Sequence, residues 1–378
     1  MPSPEPLVLA VNPGSTSTKL ALFRGGEQLW SVSLSIDDVL LAEFRGRPIV
    51  DQLELRSAAC EDALRARGVS LRSEGPAPPA ALAAVVGRGG LLAPLASGTY
   101  RVSERMLADL HAHERGEHAS NLGAMIAARL AAGAGCKAFI VDPVSVDEWE
   151  PVARLSGLAG LDRPALSHAL NTKAIAKRYA RECGRAYGDL RLVVIHLGSG
   201  TTVSAHRDGR MVDASNAREE GPFSMERAGG VPVMRLAELA TSPGITFAEI
   251  ERMLFVEGGV FSYLGTRDLR DVLARVETGD SQAALVLEAL LYQTAKEAGA
   301  MAAVLEGRVD AVLLTGGMVH SSFVTHSLTR RLQWIAPVHV YPGEDELRAL
   351  AEGALRVLWR QEAALDYPVR SPAGPNLP

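Results

Sequence analysis

Hydrophobic and polar positions alternate along this chain in two different periods. Short apolar runs rich in strand-forming residues predict buried strands at residues 7–11, 19–23, 82–86, 137–141, 192–197 and 311–314. Longer stretches with a helical apolar period predict helices over residues 120–132, 281–305 and 345–359. Because strand-like and helix-like segments interleave, the pattern favours an α/β fold built on central sheets.

Two strand pairs repeat one another about half a chain apart. When Asn12 is aligned with His196 without a gap, the alignment also pairs Gly14 with Gly198, Ser15 with Ser199, Ser17 with Thr201, Thr18 with Thr202 and Gly25 with Gly209. Both copies follow the order strand, Gly/Ser/Thr turn, strand, glycine turn, strand. This self-similarity predicts a duplicated domain with a cleft between the halves.

The turns in both copies have the composition of anion sites. Gly, Ser and Thr in a tight turn bring backbone N–H groups and hydroxyls to one point, and glycine lets a phosphate approach the backbone. A third glycine pair, Gly316 and Gly317, follows another apolar run. Each turn alone is an ordinary hairpin turn on composition, but their repetition favours a polyphosphate site. A P-loop is missing, and Gly198-Ser-Gly200 is only half of a dinucleotide fingerprint.

The composition limits the class of protein. Of the 378 residues, 47% are hydrophobic and 22% charged, and the net charge of -5 gives no reason to expect a nucleic-acid or membrane-surface partner. Cys60, Cys136 and Cys183 form no C-x-x-C pair and leave an odd count, which argues against a disulfide framework. The longest apolar region, residues 77–96, is interrupted by Arg88, so no membrane span is expected. No secretion-signal pattern is present, and we expect a cytoplasmic location.

A series of motifs along the chain resembles one kinase family. The motifs are Val11-Asn-Pro-Gly-Ser-Thr-Ser-Thr-Lys19, Gly87-Arg-Gly-Gly90, His118-Ala-Ser-Asn-Leu-Gly123, Phe139-Ile-Val-Asp-Pro143, His168-Ala-Leu-Asn171, His196-Leu-Gly-Ser-Gly200, Glu220-Gly-Pro-Phe-Ser224, Arg227-Ala-Gly-Gly230, Tyr263-Leu-Gly265, Leu314-Thr-Gly-Gly317 and Pro342-Gly-Glu-Asp-Glu346. Together they resemble the acetate and butyrate kinases of the acetate and sugar kinase, actin and chaperone-ATPase superfamily. The first three resemble the butyrate kinase branch more closely than the acetate kinase branch.

This resemblance implies a fold and an activity. The fold would be α/β with duplicated actin-like (ribonuclease H-like) domains, each a mixed sheet flanked by helices, divided into residues 1–143 with 347–378, and residues 144–346 as a nucleotide-binding and oligomerisation domain. The reaction would be reversible, Mg²⁺-dependent transfer from ATP to a short-chain fatty acid, butyrate or a branched relative, giving ADP and the acyl phosphate by direct in-line transfer. A homodimer or higher homo-oligomer is expected. The alternatives are an acetate or propionate kinase, and a non-catalytic nucleotide-binding regulator of the same fold.

Two arginines fit the chemistry of phosphoryl transfer to a carboxylate. Such transfer needs positioning and charge compensation, and a planar guanidinium gives bidentate hydrogen bonds to carboxylate or phosphoryl oxygens. From its spacing alone Arg88 is as easily a surface turn residue, but the resemblance implies that Arg88 and Arg227 form a clamp. Asp142, directly after a predicted strand, has the position of a structural cap. The resemblance implies that it lies near magnesium or orients an arginine.

The resemblance also assigns an acid, an amide and three histidines. Glu346 begins the last predicted helix, where an acid ordinarily interacts with the helix dipole. The resemblance implies instead a magnesium-site acid acting through water, with Asn12 as its partner across the cleft. It further implies that His168 donates to the transferred phosphoryl group or carbonyl oxygen, that His196 contacts phosphate oxygens and that His118 lies in the active site.

The remaining assignments concern the nucleotide and the acid. The nucleotide-binding residues implied by the resemblance are Asn12, Ser15, Thr16, Ser17, Thr18, Lys19, His196, Gly198, Ser199, Gly200, Gly316 and Gly317, with Asp268, Leu269 and Arg270 at the adenine. Gly89 and Gly90, with His118, are assigned to the acid. We hypothesise that Gly90, where the acetate branch carries a bulkier side chain, leaves room for a longer or branched acyl chain.

Overall fold

The computed structural model describes residues 5–44, 46–69, 71, 81–216 and 218–368. The chain divides into two compact units, Met1–Val146 with Asp345–Pro378 (unit 1) and Asp147–Glu344 (unit 2). The chain therefore leaves unit 1 once and returns to it at its end. Residues 369–378, which the sequence analysis assigned to the first domain, lie outside the described residues.

Unit 1 is built on a mixed sheet. Its strands are β1 (Leu7–Pro13), β2 (Ser17–Arg24), β3 (Glu27–Ser35), β4 (Leu82–Arg88), β5 (Thr99–Arg101) and β6 (Lys137–Val141). They lie in the order β3-β2-β1-β4-β6-β5, in which β1, β4 and β6 are parallel and the remaining pairings are antiparallel. Every residue of β1 is buried, as expected of an inner strand, whereas the edge strand β3 alternates between exposed and half-buried positions.

The helices of unit 1 cover this sheet. They are α1 (Asp38–Glu43), α2 (Leu53–Ala66), α3 (Glu104–Ala112), α4 (Asn121–Ala134) and α13 (Glu346–Leu358). Both α4 and α13 pack against β1, β4 and β6, and α2 packs against α4. The helix α4 ends at Gly135, whose φ of 63° lies in the left-handed region that glycine adopts without strain. The strands and helices predicted for this unit are present, with bounds that differ by at most two residues.

Unit 2 contains a second mixed sheet with helices on both faces. Its strands are β7 (Leu192–Leu197), β8 (Thr201–Arg207), β9 (Arg210–Ala214), β10 (Ala311–Gly316) and β11 (Val338–Pro342), in the order β11-β10-β7-β8-β9. Its helices are α5 (Pro151–Arg154), α6 (Ala169–Glu182), α7 (Val233–Ala240), α8 (Phe247–Phe255), α9 (Gly259–Leu264), α10 (Leu269–Glu277), α11 (Ser281–Val304) and α12 (Ser322–Leu332). Along β7, Val193 and Ile195 belong to the core with α11, and Leu192 and Val194 to the core with α6. Read in the direction β9-β8-β7-β10-β11, the strand order of unit 2 corresponds to the order β3-β2-β1-β4-β6 in unit 1.

The two hairpins of the repeat differ by one residue in their turns. Pro13 pairs with Thr18 across the first turn, whereas Leu197 pairs with Thr201 across the second. The ungapped alignment, which matched Thr18 with Thr202, is therefore wrong beyond the turn, because the second turn is one residue shorter. The strand register shifts between Leu22 and Phe23 in unit 1 and between Ala205 and His206 in unit 2. These two positions correspond once the shorter second turn is taken into account.

None of the helices in the described residues combines the length and the apolar composition needed to span a membrane.

Candidate active site

Two polar side chains donate to one carboxylate oxygen of Glu346, and all three residues belong to unit 1, so the prediction that Asn12 and Glu346 are partners across the cleft is wrong. Asn12 Nδ2 donates a hydrogen bond to Glu346 Oε2 over 2.6 Å, and Arg88 Nη1 donates to the same oxygen over 3.0 Å. Asn12 and Glu346 are buried, and the Arg88 side chain is 16% exposed. The result is a compact charge-assisted cluster in which Arg88 compensates the charge of Glu346.

The sheet brings these side chains together at the ends of its parallel strands. Asn12 is next to last in β1, Arg88 is the last residue of β4, and Glu346 is the first residue of α13. Since β1 and β4 are parallel neighbours, their C-terminal ends lie at one edge, where α/β proteins bind ligands. Gly87 allows α4 to approach this edge closely, because a Cβ there would lie 2.0 Å from Gly123 O.

Asn12 leaves a free oxygen at this cluster that fits a cation. Its Oδ1 is buried and accepts no hydrogen bond from the residues that the structure describes. Amide and carboxylate oxygens are the protein ligands that Mg²⁺ prefers, and the ion keeps several waters. No three His, Cys, Asp or Glu side chains form a metal cluster within the described ranges. Asn12 Oδ1 and Glu346 therefore fit a hydrated magnesium ion rather than a closed protein cage.

The predicted phosphate-binding residues of unit 1 lie on and beside the turn between β1 and β2. Along this segment Ser15, Thr16 and Lys19 are exposed, Ser17 is half-buried and Thr18 is buried. Arg56 of α2, which the sequence analysis did not select, is buried and donates four hydrogen bonds to atoms of Gly14, Ser15, Ser17 and Thr18. Burial lowers the pKa of Arg56. Because Arg56 lies 41 residues from Ser15, no local motif could have indicated it.

On the acid side, the glycines are packed against protein atoms. A Cβ on Gly90 would lie 2.3 Å from Asn121 Oδ1 and 2.5 Å from Asn121 Cα, and a Cβ on Gly89 would lie 2.5 Å from a proline Cβ. The hypothesis that Gly90 leaves room for a longer acyl chain is therefore wrong, because the start of α4 fills that space. His118 is exposed, and its Nδ1 lies 2.7 Å from Ser120 Oγ.

Asp142 directly follows β6 and binds the loop before β5. Its Oδ1 accepts hydrogen bonds from Ser97 Oγ at 2.6 Å and from Gly98 N at 2.8 Å. Its φ of 38° lies in the left-handed region, which is uncommon for a residue with a side chain. These hydrogen bonds agree with the position of a structural cap. A role of Asp142 near magnesium, or in orienting an arginine, stays a prediction.

Two histidines stack on each other in unit 2. The rings of His168 and His196 have centroids 4.1 Å apart and planes inclined by 16°. His196 Nδ1 lies 3.0 Å from Asn171 Oδ1, its Nε2 lies 3.2 Å from Glu344 Oε1, and His168 Nδ1 lies 2.8 Å from Thr202 Oγ1. Asn171 is not among the predicted site residues, although its spacing of three from His168 at the start of α6 indicates a shared site.

Arg227 and the second hairpin complete this cluster. A Cβ on Gly200 would lie 2.9 Å from Arg227 Nη1 and 3.1 Å from His168 Cε1. A Cβ on Gly198 would lie 2.9 Å from Glu344 Oε1. Glycine at both positions therefore lets the guanidinium, an imidazole and a carboxylate approach the turn. A guanidinium beside an imidazole is suited to binding phosphoryl oxygens.

The other predicted phosphate-side residues of unit 2 are placed by close backbone contacts. Ser199 O accepts a hydrogen bond from Ser224 Oγ. Gly316 has a φ of 100°, and a Cβ there would lie 2.2 Å from Leu197 O. Any side chain at this position would therefore force β10 away from β7. Gly317, by contrast, has open space where a Cβ would lie, which leaves room for a ligand to approach.

The three residues predicted at the adenine form the start of α10. Asp268 caps the helix by accepting a hydrogen bond from Arg270 N at 2.8 Å. Hydrogen bonds from the Arg270 side chain and backbone lower the pKa of Asp268 to about 2. Leu269 packs against the core of unit 2. These contacts are those of a helix cap, and contact with adenine stays a prediction.

Comparison with known proteins identifies a family domain in unit 2 and a fold that spans the chain. Residues 165–338 match the sequence model of the acetokinase family. Acetate kinase from Porphyromonas gingivalis aligns with a TM-score of 0.73 and 19% identity over 93% of this chain and 100% of that chain. A propionate kinase from Francisella tularensis aligns with a TM-score of 0.73 and 17% identity over 92% of this chain and 98% of that chain. Acetate kinase from Entamoeba histolytica aligns with a TM-score of 0.72 and 14% identity over 92% of this chain and 98% of that chain. The chain therefore carries an acetokinase-family domain and has the fold of these kinases, which confirms the predicted fold class of two mixed sheets flanked by helices.

Proposed function

We propose, from the acetokinase-family domain and the cluster at Glu346, that this chain reversibly transfers the γ-phosphoryl group of ATP to a short-chain carboxylic acid. A carboxylate oxygen attacks the γ-phosphorus, the bond from that phosphorus to the bridging oxygen breaks, and ADP leaves as the acyl phosphate forms. The convergence of Asn12 and Arg88 on the buried Glu346 carries this proposal. Buried polar groups at strand ends are costly unless they serve a ligand or one another, and Asn12 Oδ1 still lacks a partner among the described residues.

The residues of the two clusters supply positioning and charge compensation. Asn12 Oδ1 and Glu346 would hold magnesium, directly or through water, and the bound ion would compensate the charge on the β- and γ-phosphates. Arg88 offers its planar fork to the acid, and Arg227 with His168 donates to the phosphoryl oxygens. Groups of this kind orient and neutralise, so we propose direct in-line transfer without a phosphorylated side chain.

For the acid, we propose butyrate or a branched relative, on the resemblance of the first three motifs. Acetate or propionate is the second candidate, favoured by the names of the solved structures with this fold. The preference cannot come from space at Gly90, because Asn121 occupies that space.

The decisive experiment is a coupled assay of ADP release with acetate, propionate, butyrate and isobutyrate, with hydroxylamine trapping of the acyl phosphate. Arg88→Ala and Arg227→Ala should each lower turnover by about 10³–10⁵, the contribution of an arginine finger in related chemistry. Arg129→Ala, which removes an exposed arginine on α4, is the matched control. Losses below about tenfold for both clamp variants would contradict the assignment. ATP binding without acid-dependent ADP release would instead support a non-catalytic regulator.

We also propose that the protein is cytoplasmic and forms a homodimer or a higher homo-oligomer that associates through unit 2. Val233, Met234 and Phe247, on α7 and α8, are 73%, 70% and 77% exposed. Apolar side chains exposed together in this way are typical of protein interfaces. Sedimentation of the wild type and of Val233→Asp tests the proposal, and a monomeric wild type would contradict it.

A further inference from the structure

The turn between β1 and β2 is bound by a buried charged side chain to which the proposed chemistry gives no role. Arg56 is 1% exposed. Its Nη1 donates to Gly14 O at 2.9 Å and to Ser17 O at 3.1 Å, and its Nη2 donates to Ser15 O at 2.9 Å. Burying a guanidinium is costly unless its donors form hydrogen bonds. Three carbonyl groups of one four-residue turn are bound by one side chain, so the conformation of the turn depends on it.

These hydrogen bonds determine where the N–H groups of the turn point. A trans peptide is planar, so its C=O and its N–H point in opposite directions. Because Gly14 O and Ser15 O point to Arg56, the N–H groups of Ser15 and Thr16 point away from it. The next carbonyl, Thr16 O, accepts a hydrogen bond from Ile36 N at 3.0 Å, so that peptide is fixed as well. Across the described part of the chain, no residue accepts a hydrogen bond from the N–H of Ser15 or Thr16.

We infer that Arg56 is a positioning residue that presets this turn as a binding site for the phosphate oxygens of the nucleotide. The inference rests on the proposed function, because it concerns the same nucleotide. Successive backbone N–H groups that point to one side form a concavity for anionic oxygens. Arg56 thus acts through the peptides of Ser15 and Thr16, without contact with the ligand itself.

The choice of arginine and its neighbour Gln52 support this role. A planar guanidinium presents donors in several fixed directions, whereas a lysine ammonium is a single point. Gln52 Oε1 accepts from Arg56 Nε at 3.0 Å and from Nη2 at 2.8 Å, which fixes the plane of the guanidinium. Gln52 is itself buried, directly before α2. The pair therefore orients the donors toward the turn before any nucleotide binds.

The test measures MgADP binding by titration calorimetry, and KM separately for ATP and for the acid. Arg56→Met should weaken MgADP binding by about tenfold or more, the equivalent of one lost charge-assisted hydrogen bond, with Arg56→Lys intermediate. KM for ATP should rise in parallel while KM for the acid stays within about twofold, since the acid side is untouched. Leu110→Ala, a buried change in α3, is the control for lower stability without a change at the turn.

The outcomes separate this inference from the proposed function. A folded Arg56→Met protein with wild-type affinity for MgADP overturns the inference, as does a rise in KM for the acid equal to that for ATP. If the Arg56 variants do not fold, Gln52→Ala keeps the arginine and should still weaken MgADP binding. Unchanged binding in that variant overturns the inference. Wild-type protein that binds no MgADP contradicts the proposed function itself.

Discussion

Replacing Glu346 by Gln should lower stability by about 2–3 kcal/mol, a value that follows from the contacts of one oxygen atom. Glu346 Oε2 accepts from Asn12 at 2.6 Å and from Arg88 at 3.0 Å, and the glutamate side chain is only 7% exposed. A hydrogen bond with a charged group contributes about 1.5–3 kcal/mol, and breaking a buried ion pair costs about 3–5 kcal/mol. Because the Arg88 side chain is 16% exposed, water compensates part of its charge and the lower values apply.

Thermal denaturation by calorimetry measures this loss. For a domain of about 150–250 residues, 1 kcal/mol shifts Tm by about 2–4 °C, so Tm should fall by about 4–12 °C. Asp345→Asn is the matched control, since it removes a charge from the same helix N-terminus at an exposed pair with Arg348, worth at most about 1 kcal/mol. A Tm change for Glu346→Gln no larger than that of the control would refute the reasoning. The apparent affinity for Mg²⁺ should fall with it.

Three further predictions concern buried and closely packed positions. Burial, and then the charge of Lys173, lowers the pKa of His206 from 6.5 to about 3, so stability is present above pH 6.5 and is lost as the pH falls toward 3. At pH 5 the loss is about 2 kcal/mol, and His206→Gln should abolish this dependence in urea denaturation at pH 7 and 5. Gly90→Ala should cost about 1–3 kcal/mol, unlike Gly26→Ala in open space, and should leave the order of preferred acids unchanged in the assay. Gly200→Ala should displace the Arg227 guanidinium and lower kcat by about 100-fold without a matching loss of Tm, and an unchanged kcat would contradict this.

Local patterns predicted the strand ends and turns where the candidate residues lie. Asn12 and Arg88 follow apolar runs, and Glu346 begins a helical pattern, so their positions depend on neighbours close in sequence. In the structure β1 and β4 are parallel neighbours, which places both strand ends at one edge of the sheet. Asn12, Arg88 and Glu346 lie together because the topology brings strand ends that are distant in sequence to one edge, and their roles stay predictions.

Contacts between distant segments could not be predicted in this way. Arg56 lies in an ordinary helical stretch, and only the packing of α2 brings it to the turn. The clearance at Gly90 depends on the approach of Asn121, which no property of Gly90 reveals. A small residue leaves either an empty space or a close contact, and the sequence does not distinguish the two.

The repeated sheet explains why position was easier to predict than chemistry. Asn12 and His196 hold the same place in the two sheets, next to last in β1 and β7, and each lies beside a glutamate. In unit 1 the amide gives its N–H to the glutamate and keeps a buried oxygen, which suits a cation. In unit 2 the imidazole of His196 stacks on that of His168, and His168 and the Arg227 guanidinium both approach Gly200, which we propose suits the oxygens of a phosphoryl group. Duplication therefore specifies where polar side chains gather, whereas the side chains at these places differ between the two copies and give each cluster its own chemistry.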